Sequence, residues 1–281
     1  MTQLTLTKHH GLGNDFLVVF HPNIDDLSAL ARELCERREG IGADGLLIGE
    51  SAKGYAAQMM LFNADGSRAE LSGNGIRCFA QALAMRRGDF EGRHILTDAG
   101  ERVVTLTTTD NPAVVEAAVD MGEVSVLAEP ANWAALACDS IRPVSHLSVG
   151  NPHSVVAVDD VSEVDLLTLG QLVPHVNLEV IEPGPQPGAI TMRVHERGAG
   201  ITQACGTGAC AAAWAASGWG LVAVDAEEIV VHMPGGSAKV RLHQPSRGRV
   251  TLVGPAKFVG TITVDYHRRQ GAVNAGAGRH A

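Results

Sequence analysis

The sequence lacks several things that would assign it to a common class. It has five cysteines, at 35, 78, 138, 205 and 210, an odd count with no C-x-x-C pair. A disulfide framework and a cysteine-based zinc knuckle are therefore not expected, and a reducing, cytoplasmic setting is. No apolar leader follows the N-terminal MTQLTLTKHHGLGNDF. Dense basic runs are few and short (Arg37-Arg38, Arg86-Arg87, His267-Arg268-Arg269), and the formal net charge is −9. Both features argue against a general nucleic-acid surface and for solvated faces. His9, His10 and His232 show no metal-ligand spacing with cysteine or carboxylate, so no metal is expected. Charged residues are also absent from Ala204 to Val224, a stretch long enough to imitate a membrane span. Its Ala and Gly content, with glycines at 206, 208, 218 and 220, fits instead a helix buried on all sides at the centre of a domain.

What is present is a globular composition rich in turns: 281 residues, 45% hydrophobic, with 32 glycines. That length suggests two medium domains, each with its own core. The chain reads as two similar halves. Gly13-Asn14-Asp15 runs into the apolar Phe16–Phe20, and Gly150-Asn151-Pro152-His153 runs into Val155–Val158. GADGLLIG at 42–49 finds a counterpart in HVNLEVIE at 175–182, and Ser72 before Gly-Asn-Gly finds one in Cys205 before Gly-Thr-Gly. The separations are 137, 133 and 133 residues, the mark of an internal duplication. VVTLTT (103–108), ITMRVHE (190–196), AKVRLH (238–243) and RVTLVG (249–254) alternate as half-buried strands do. Helices are expected over Leu27–Arg37, Ile76–Arg87 and Ala209–Ser217. The expected layout is an N-terminal domain over 1–125, a C-terminal domain over 126–266 and a disordered tail over 267–281. The stretch from about Thr109 to Pro143 serves as the bridge between the halves.

The chemistry is expected where a small nucleophile precedes Gly-x-Gly and a helix. Glycines let backbone approach a ligand, and a helix start offers unpaired N–H groups with partial positive charge, so two such starts can grip one carboxylate. By the same local argument the thiol of Cys205 is expected to be acidified and to outpace the other cysteines toward alkylating agents. Each feature alone has an ordinary structural use in tight turns and helix packing. A second copy about 133 residues away calls for more than packing, because two catalytic groups facing one ligand need both.

FNADGSRAELSGNGIRCFA at 62–80, GNPHSVV at 150–156, VNLE at 176–179 and HERGAGITQACGTGACAAA at 195–213 together resemble the diaminopimelate epimerases. HGLGNDF at 10–16 and PGG at 234–236 fit as well, and the likeness runs from Lys8 to Val264. The resemblance implies an α+β fold of two pseudo-symmetric domains, each a β-sheet barrel around a central helix, with the active site between them. It implies epimerisation of LL- and meso-2,6-diaminopimelate without cofactor, one cysteine per domain working on each face of the α-carbon. Cys205 falls on one of these positions, and Ser72 falls on the other. His153 and Glu196 match residues that support the thiols. The substrate-binding positions fall on Asn14, Asn63, Asn151, Asn177, Glu196 and Arg197, with amides from Gly73-Asn74 and Gly206-Thr207. Arg197 would clamp the distal carboxylate and Glu196 would answer the ammonium. A glutamine of many members falls on Gly45, so one polar contact is expected to be missing or replaced by backbone. The partner implied is a small molecule, with neither nucleic acid nor membrane, and a homodimer is left open. Ser72 keeps two alternatives in play. One is a one-base isomerase, racemase or eliminating enzyme acting on another small amino acid through Cys205. The other is a silent, or deliberately substituted, Cys-to-Ser form that binds diaminopimelate.

Overall fold

The computed structural model describes residues 2–223, 225–243 and 248–266. The expected tail, with His267-Arg268-Arg269, lies outside the described residues. The first half runs β1 (Thr2–Gly11), β2 (Asn14–Phe20), α1 (Leu27–Cys35), β3 (Gly45–Glu50), β4 (Ala57–Asn63), β5 (Arg68–Ala69), α2 (Gly73–Arg87), β6 (Arg93–Thr97), β7 (Gly100–Thr108) and β8 (Val114–Glu123). The second runs β9 (Ser125–Val126), β10 (Val144–Ser148), β11 (Pro152–Ala157), α3 (Leu166–Leu172), β12 (Asn177–Pro183), β13 (Ala189–Glu196), β14 (Gly200–Ile201), α4 (Gly206–Trp219), β15 (Glu228–Met233), β16 (Gly236–Leu242) and β17 (Arg249–Tyr266). A 3-10 turn at Trp133–Leu136 lies between β9 and β10.

The pairings repeat. β2 lies parallel to β3 with Phe16 opposite Gly45, and β11 lies parallel to β12 with His153 opposite Asn177. β4 is parallel to β6, and β13 is parallel to β15. Following the ladders β1-β2-β3-β4-β6-β7-β8-β17 returns to β1, which closes one barrel. Following β10-β11-β12-β13-β15-β16-β17-β8 and on through β9 returns to β10, which closes the other. Closure leaves no free edge in either ring. The stretch read as a bridge carries β8 and β9, and β8 pairs with β7 in the first ring and with β17 in the second. β17 is 18 residues long because it serves both rings, meeting β16 and β8 with its first part and β1 with its last.

Each barrel is filled by one helix. α2 is buried without a break from Gly73 to Ala84, and α4 from Gly206 to Ala213. A helix wrapped by sheet on every side has no polar face to offer water, which explains the Ala-rich, uncharged run in α4. Among the described residues, no helix is long and apolar enough to cross a membrane. Both helices end on a left-handed glycine, Gly88 and Gly220, as helix C-termini commonly do.

One buried histidine gives the fold a pH dependence. His9 is fully enclosed between the Gln81 Oε1 and Thr7 Oγ1 atoms, each at 2.9 Å, and burial pulls it down from 6.5 to about 4. Between these values the unfolded chain binds a proton that the folded chain refuses. Stability therefore falls as pH drops through this window, by about 3 kcal/mol in all. The melting temperature is expected to decline from pH 6.5 to 4, with a flatter profile in His9→Gln; equal slopes for the two proteins would refute this.

Candidate active site

The two central helices meet at their starts. A Cβ on Gly73 would lie 2.9 Å from the Gly206 Cα, and a Cβ on Gly206 would lie 2.9 Å from the Gly73 Cα. Only glycine at both positions allows this approach. The side-chain amide of Asn74 ties the halves together by donating to the Ala204 carbonyl at 2.9 Å. Ser72 and Cys205 are the N-caps, with nearly the same backbone angles: φ −130, ψ 125 and φ −120, ψ 114. Ser72 Oγ accepts from the Gly75 amide at 3.0 Å, and Cys205 Sγ accepts from the Gly208 amide at 3.4 Å. In each helix the first two amides, those of Gly73-Asn74 and Gly206-Thr207, have no intrahelical acceptor to meet. Four donors at two abutting positive helix ends make a seat for a carboxylate.

These starts form the floor of a cavity of about 930 Å³. Its wall includes Ser72, Cys205 and the four seat residues, and also Asn14, Asn63, Asn151, Asn177, Glu196 and Arg197. Asn14 donates to Asp44 Oδ2 at 2.7 Å and accepts from Asn74 at 3.2 Å; Asn63 donates to Ser67 Oγ at 2.9 Å. Asn177 Oδ1 accepts from the Arg197 amide at 2.8 Å. The Arg197 side chain reaches across to Glu70 Oε2 at 3.6 Å. Both ends of that pair are exposed, so it is weak and easily displaced by a ligand carboxylate.

His153 lies apart from the cavity wall. It is fully buried, with Nδ1 2.6 Å from Glu179 Oε1 and Nε2 2.9 Å from Asn151 Oδ1, and no hydrogen bond joins it to Ser72 or Cys205. Its immediate effect is to orient Asn151 toward the cavity. Gly45 also stays off the wall. A Cβ there would lie 2.8 Å from the Phe62 carbonyl oxygen, and no side chain from this position reaches the cavity.

The electrostatics correct one expectation. The helix start alone suggests an acidified thiol, yet Cys205 is held well above the ordinary thiol value, by burial first and then by the negative charges of Glu196 and Glu179. Desolvation and two carboxylates outweigh the helix end. Cys205 at rest is therefore the protonated, acid form. Cys205 Sγ lies 3.5 Å from Thr207 Oγ1, and Glu196, the carboxylate whose charge acts on the thiol most strongly, accepts from Thr202 Oγ1 at 2.5 Å. Burial also raises Glu196 and Glu179.

Ser72 has no such support: among the described residues, its Oγ meets only the Gly75 amide. Glu196 ends β13, and the residue that ends β4 in the repeated first half is Asn63.

The thiol order is revised as well. Cys138 is the only partly exposed cysteine; the other four are buried. Iodoacetamide is expected to label Cys138 first and Cys205 slowly, as read by mass mapping at short times. Labelling of Cys205 ahead of Cys138 would contradict the buried, protonated state.

Sequence reasoning missed Asp44, Thr202, Glu70 and Glu179. Asp44 stood in the repeated GADG turn, which was a signal for it; the other three act through tertiary neighbours alone. Among the described residues, no group of three or more His, Cys, Asp or Glu side chains is arranged to hold a metal ion.

A family model for diaminopimelate epimerase matches residues 6–127 and 145–259. A diaminopimelate epimerase from Halothermothrix orenii is 37% identical over 290 residues, covering 92% of this chain and 97% of that protein. One from Geobacillus thermodenitrificans is 35% identical, covering 95% and 98%. Among solved structures, a Bacillus anthracis phenazine biosynthesis protein of the PhzF family superposes with a TM-score of 0.75 at 14% identity, over 95% of this chain and all of that one. A hydroxyproline epimerase from Agrobacterium vitis, with trans-4-hydroxy-L-proline bound, gives 0.72 at 16% identity, over 94% and 91%. At those identities the structural likeness is one of fold. The sequence matches carry more: this chain belongs to the diaminopimelate epimerase family.

Proposed function

We propose that this protein is an isomerase that interconverts LL- and meso-2,6-diaminopimelate by moving the α-proton without a cofactor. The observation that supports this most is the pair of capped helix starts, Ser72 and Cys205, meeting over one carboxylate seat with the Glu196 carboxylate beside the thiol. The α-carboxylate sits on the amides of Gly73, Asn74, Gly206 and Thr207. Arg197 leaves Glu70 to take the distal carboxylate, and Asn14, Asn63, Asn151 and Asn177 fix the rest. With the substrate seated, Glu196 takes the thiol proton and the Cys205 thiolate removes the α-proton. The electron pair left on the α-carbon delocalises into the carboxylate, where the four amides meet the added negative charge. A proton returned from the opposite face, by the Ser72 hydroxyl or by water beside it, inverts the centre. In the reverse sense Cys205 donates, and Ser72 must act as the base.

The product would feed lysine and peptidoglycan-precursor synthesis. The five free cysteines support a reducing cytoplasm as its site. A second reading, in which Cys205 works alone as a one-base catalyst, is favoured by the single amide contact of Ser72. Incubation with meso-diaminopimelate in heavy water, followed by NMR for α-deuterium and stereochemistry, separates the two. Exchange with inversion supports epimerisation, exchange without inversion supports the one-base reading, and binding without exchange points to a silent site.

A further inference from the structure

Arg77 is fully buried at the second turn of α2, and among the described residues no carboxylate pairs with it. Its Nη2 donates to Asn74 Oδ1 at 2.7 Å and its Nε to the Pro255 carbonyl at 3.4 Å, while Nη1 has no hydrogen-bond partner. The two barrel strands beside it make room. A Cβ on Gly11 of β1 would lie 3.2 Å from Nη2, and one on Gly254 of β17 would lie 3.3 Å from Cζ. Burial draws this guanidinium down to about 10, so it is still charged at neutral pH.

An enclosed cation with no counter-ion destabilises a fold, and burying it is readily explained only if an anion arrives to answer it. Three residues before Arg77 on the same helix stands Asn74, whose side chain lines the cavity and also joins Asn14 and Ala204. Residues three apart on a helix share a face, and the 2.7 Å bond to Asn74 puts the guanidinium one side chain behind the cavity wall at the start of α2. We propose that Arg77 is a positioning residue: acting through Asn74 and the start of α2, its uncompensated charge strengthens the seat for a carboxylate. It also favours the added negative charge that the carboxylate receives when the α-proton leaves. The second half of this statement rests on the epimerase reading, and the first does not.

Two variants separate charge from shape. Arg77→Lys keeps the charge and loses the planar fork; Arg77→Gln keeps a donor for Asn74 and loses the charge. Acetate serves as the probe of the seat, titrated against 15N-labelled protein while the amide signals of Gly73, Asn74, Gly206 and Thr207 are followed. Removing a buried charge that an anion faces is expected to weaken acetate binding at least about tenfold in Arg77→Gln, with Arg77→Lys within about fivefold of the parent. With meso-diaminopimelate in heavy water, Arg77→Gln is expected to lose more in kcat for exchange than it loses in KM, since the charge acts most strongly on the carbanion. Its melting temperature, a measure of folding, stays at or above the parent value because an unpaired buried cation is gone. Equal acetate affinity in all three proteins overturns the proposal, as does an equal loss in both variants, which would mean that only the shape of arginine matters. Acetate results as expected, with no diaminopimelate binding by the parent, would leave the seat in place and reject the substrate.

Discussion

Cys205→Ala is expected to lower α-deuterium exchange from meso-diaminopimelate by about 1,000-fold, in the middle of the range for a positioned acid–base group. The thiol caps one of the two helix starts on the cavity wall, with the Glu196 carboxylate beside it to take its proton. Removing it leaves Glu196 facing a space that the α-proton cannot bridge. Loss of fold does not explain such an effect. The Gly208 amide forfeits a long cap contact of 3.4 Å, and losing an N-cap costs about 0.5–2 kcal/mol. Substrate affinity should change little, since the carboxylate seat is made of backbone amides. The parent protein should also exchange faster as pH rises through the raised range of Glu196, because only the ionised carboxylate can take the thiol proton. An alanine variant within tenfold of the parent would remove Cys205 from the reaction.

The parts of this site that were legible in the sequence are the parts made locally. A nucleophile, Gly-x-Gly and a helix form one continuous stretch, so both caps could be placed by pattern, and the near-constant separations announced a repeated unit. β8 and β17 were harder, because their double membership follows from pairings such as Arg249 with Glu123, more than 120 residues apart in sequence. α3 was not found: at seven residues, capped by Asp165, it is too short to show a clear period. The protonation of Cys205 went the other way from the local argument for the same reason. The helix start is a property of residues 205–208, whereas the carboxylates that oppose ionisation come from β12 and β13. His153, expected to support the thiols, is held between Glu179 on the neighbouring strand and Asn151 on the cavity wall, partners that no local pattern shows. Patterns along the chain locate a site; charges that arrive from other strands set its protonation.

The two helix starts have the same backbone, the same capping bond and the same pair of free amides, so what distinguishes them is the capping atom and what stands beside it. Cys205 has the Glu196 carboxylate beside it; Ser72 has the Gly75 amide and, among the described residues, no other hydrogen-bond partner. A free thiol ionises near pH 8.5, and a serine hydroxyl is a far weaker acid that needs an activating base to move a proton. Ser72→Cys is therefore expected to raise epimerisation by at least about 100-fold, the lower range for one positioned acid–base group. The larger gain falls in the direction where residue 72 acts as base. Affinity for diaminopimelate should stay within a few-fold, because the amides, asparagines and Arg197 are untouched. Stability should move slightly downward, since serine ranks among the preferred caps and cysteine does not. A faster enzyme that is no more stable assigns the gain to proton transfer. The decisive measurement is turnover of LL- and meso-diaminopimelate by both proteins at matched pH. A variant no faster than the parent would mean that Ser72 is already an adapted group, or that Cys205 works alone, and the one-base reading would take first place.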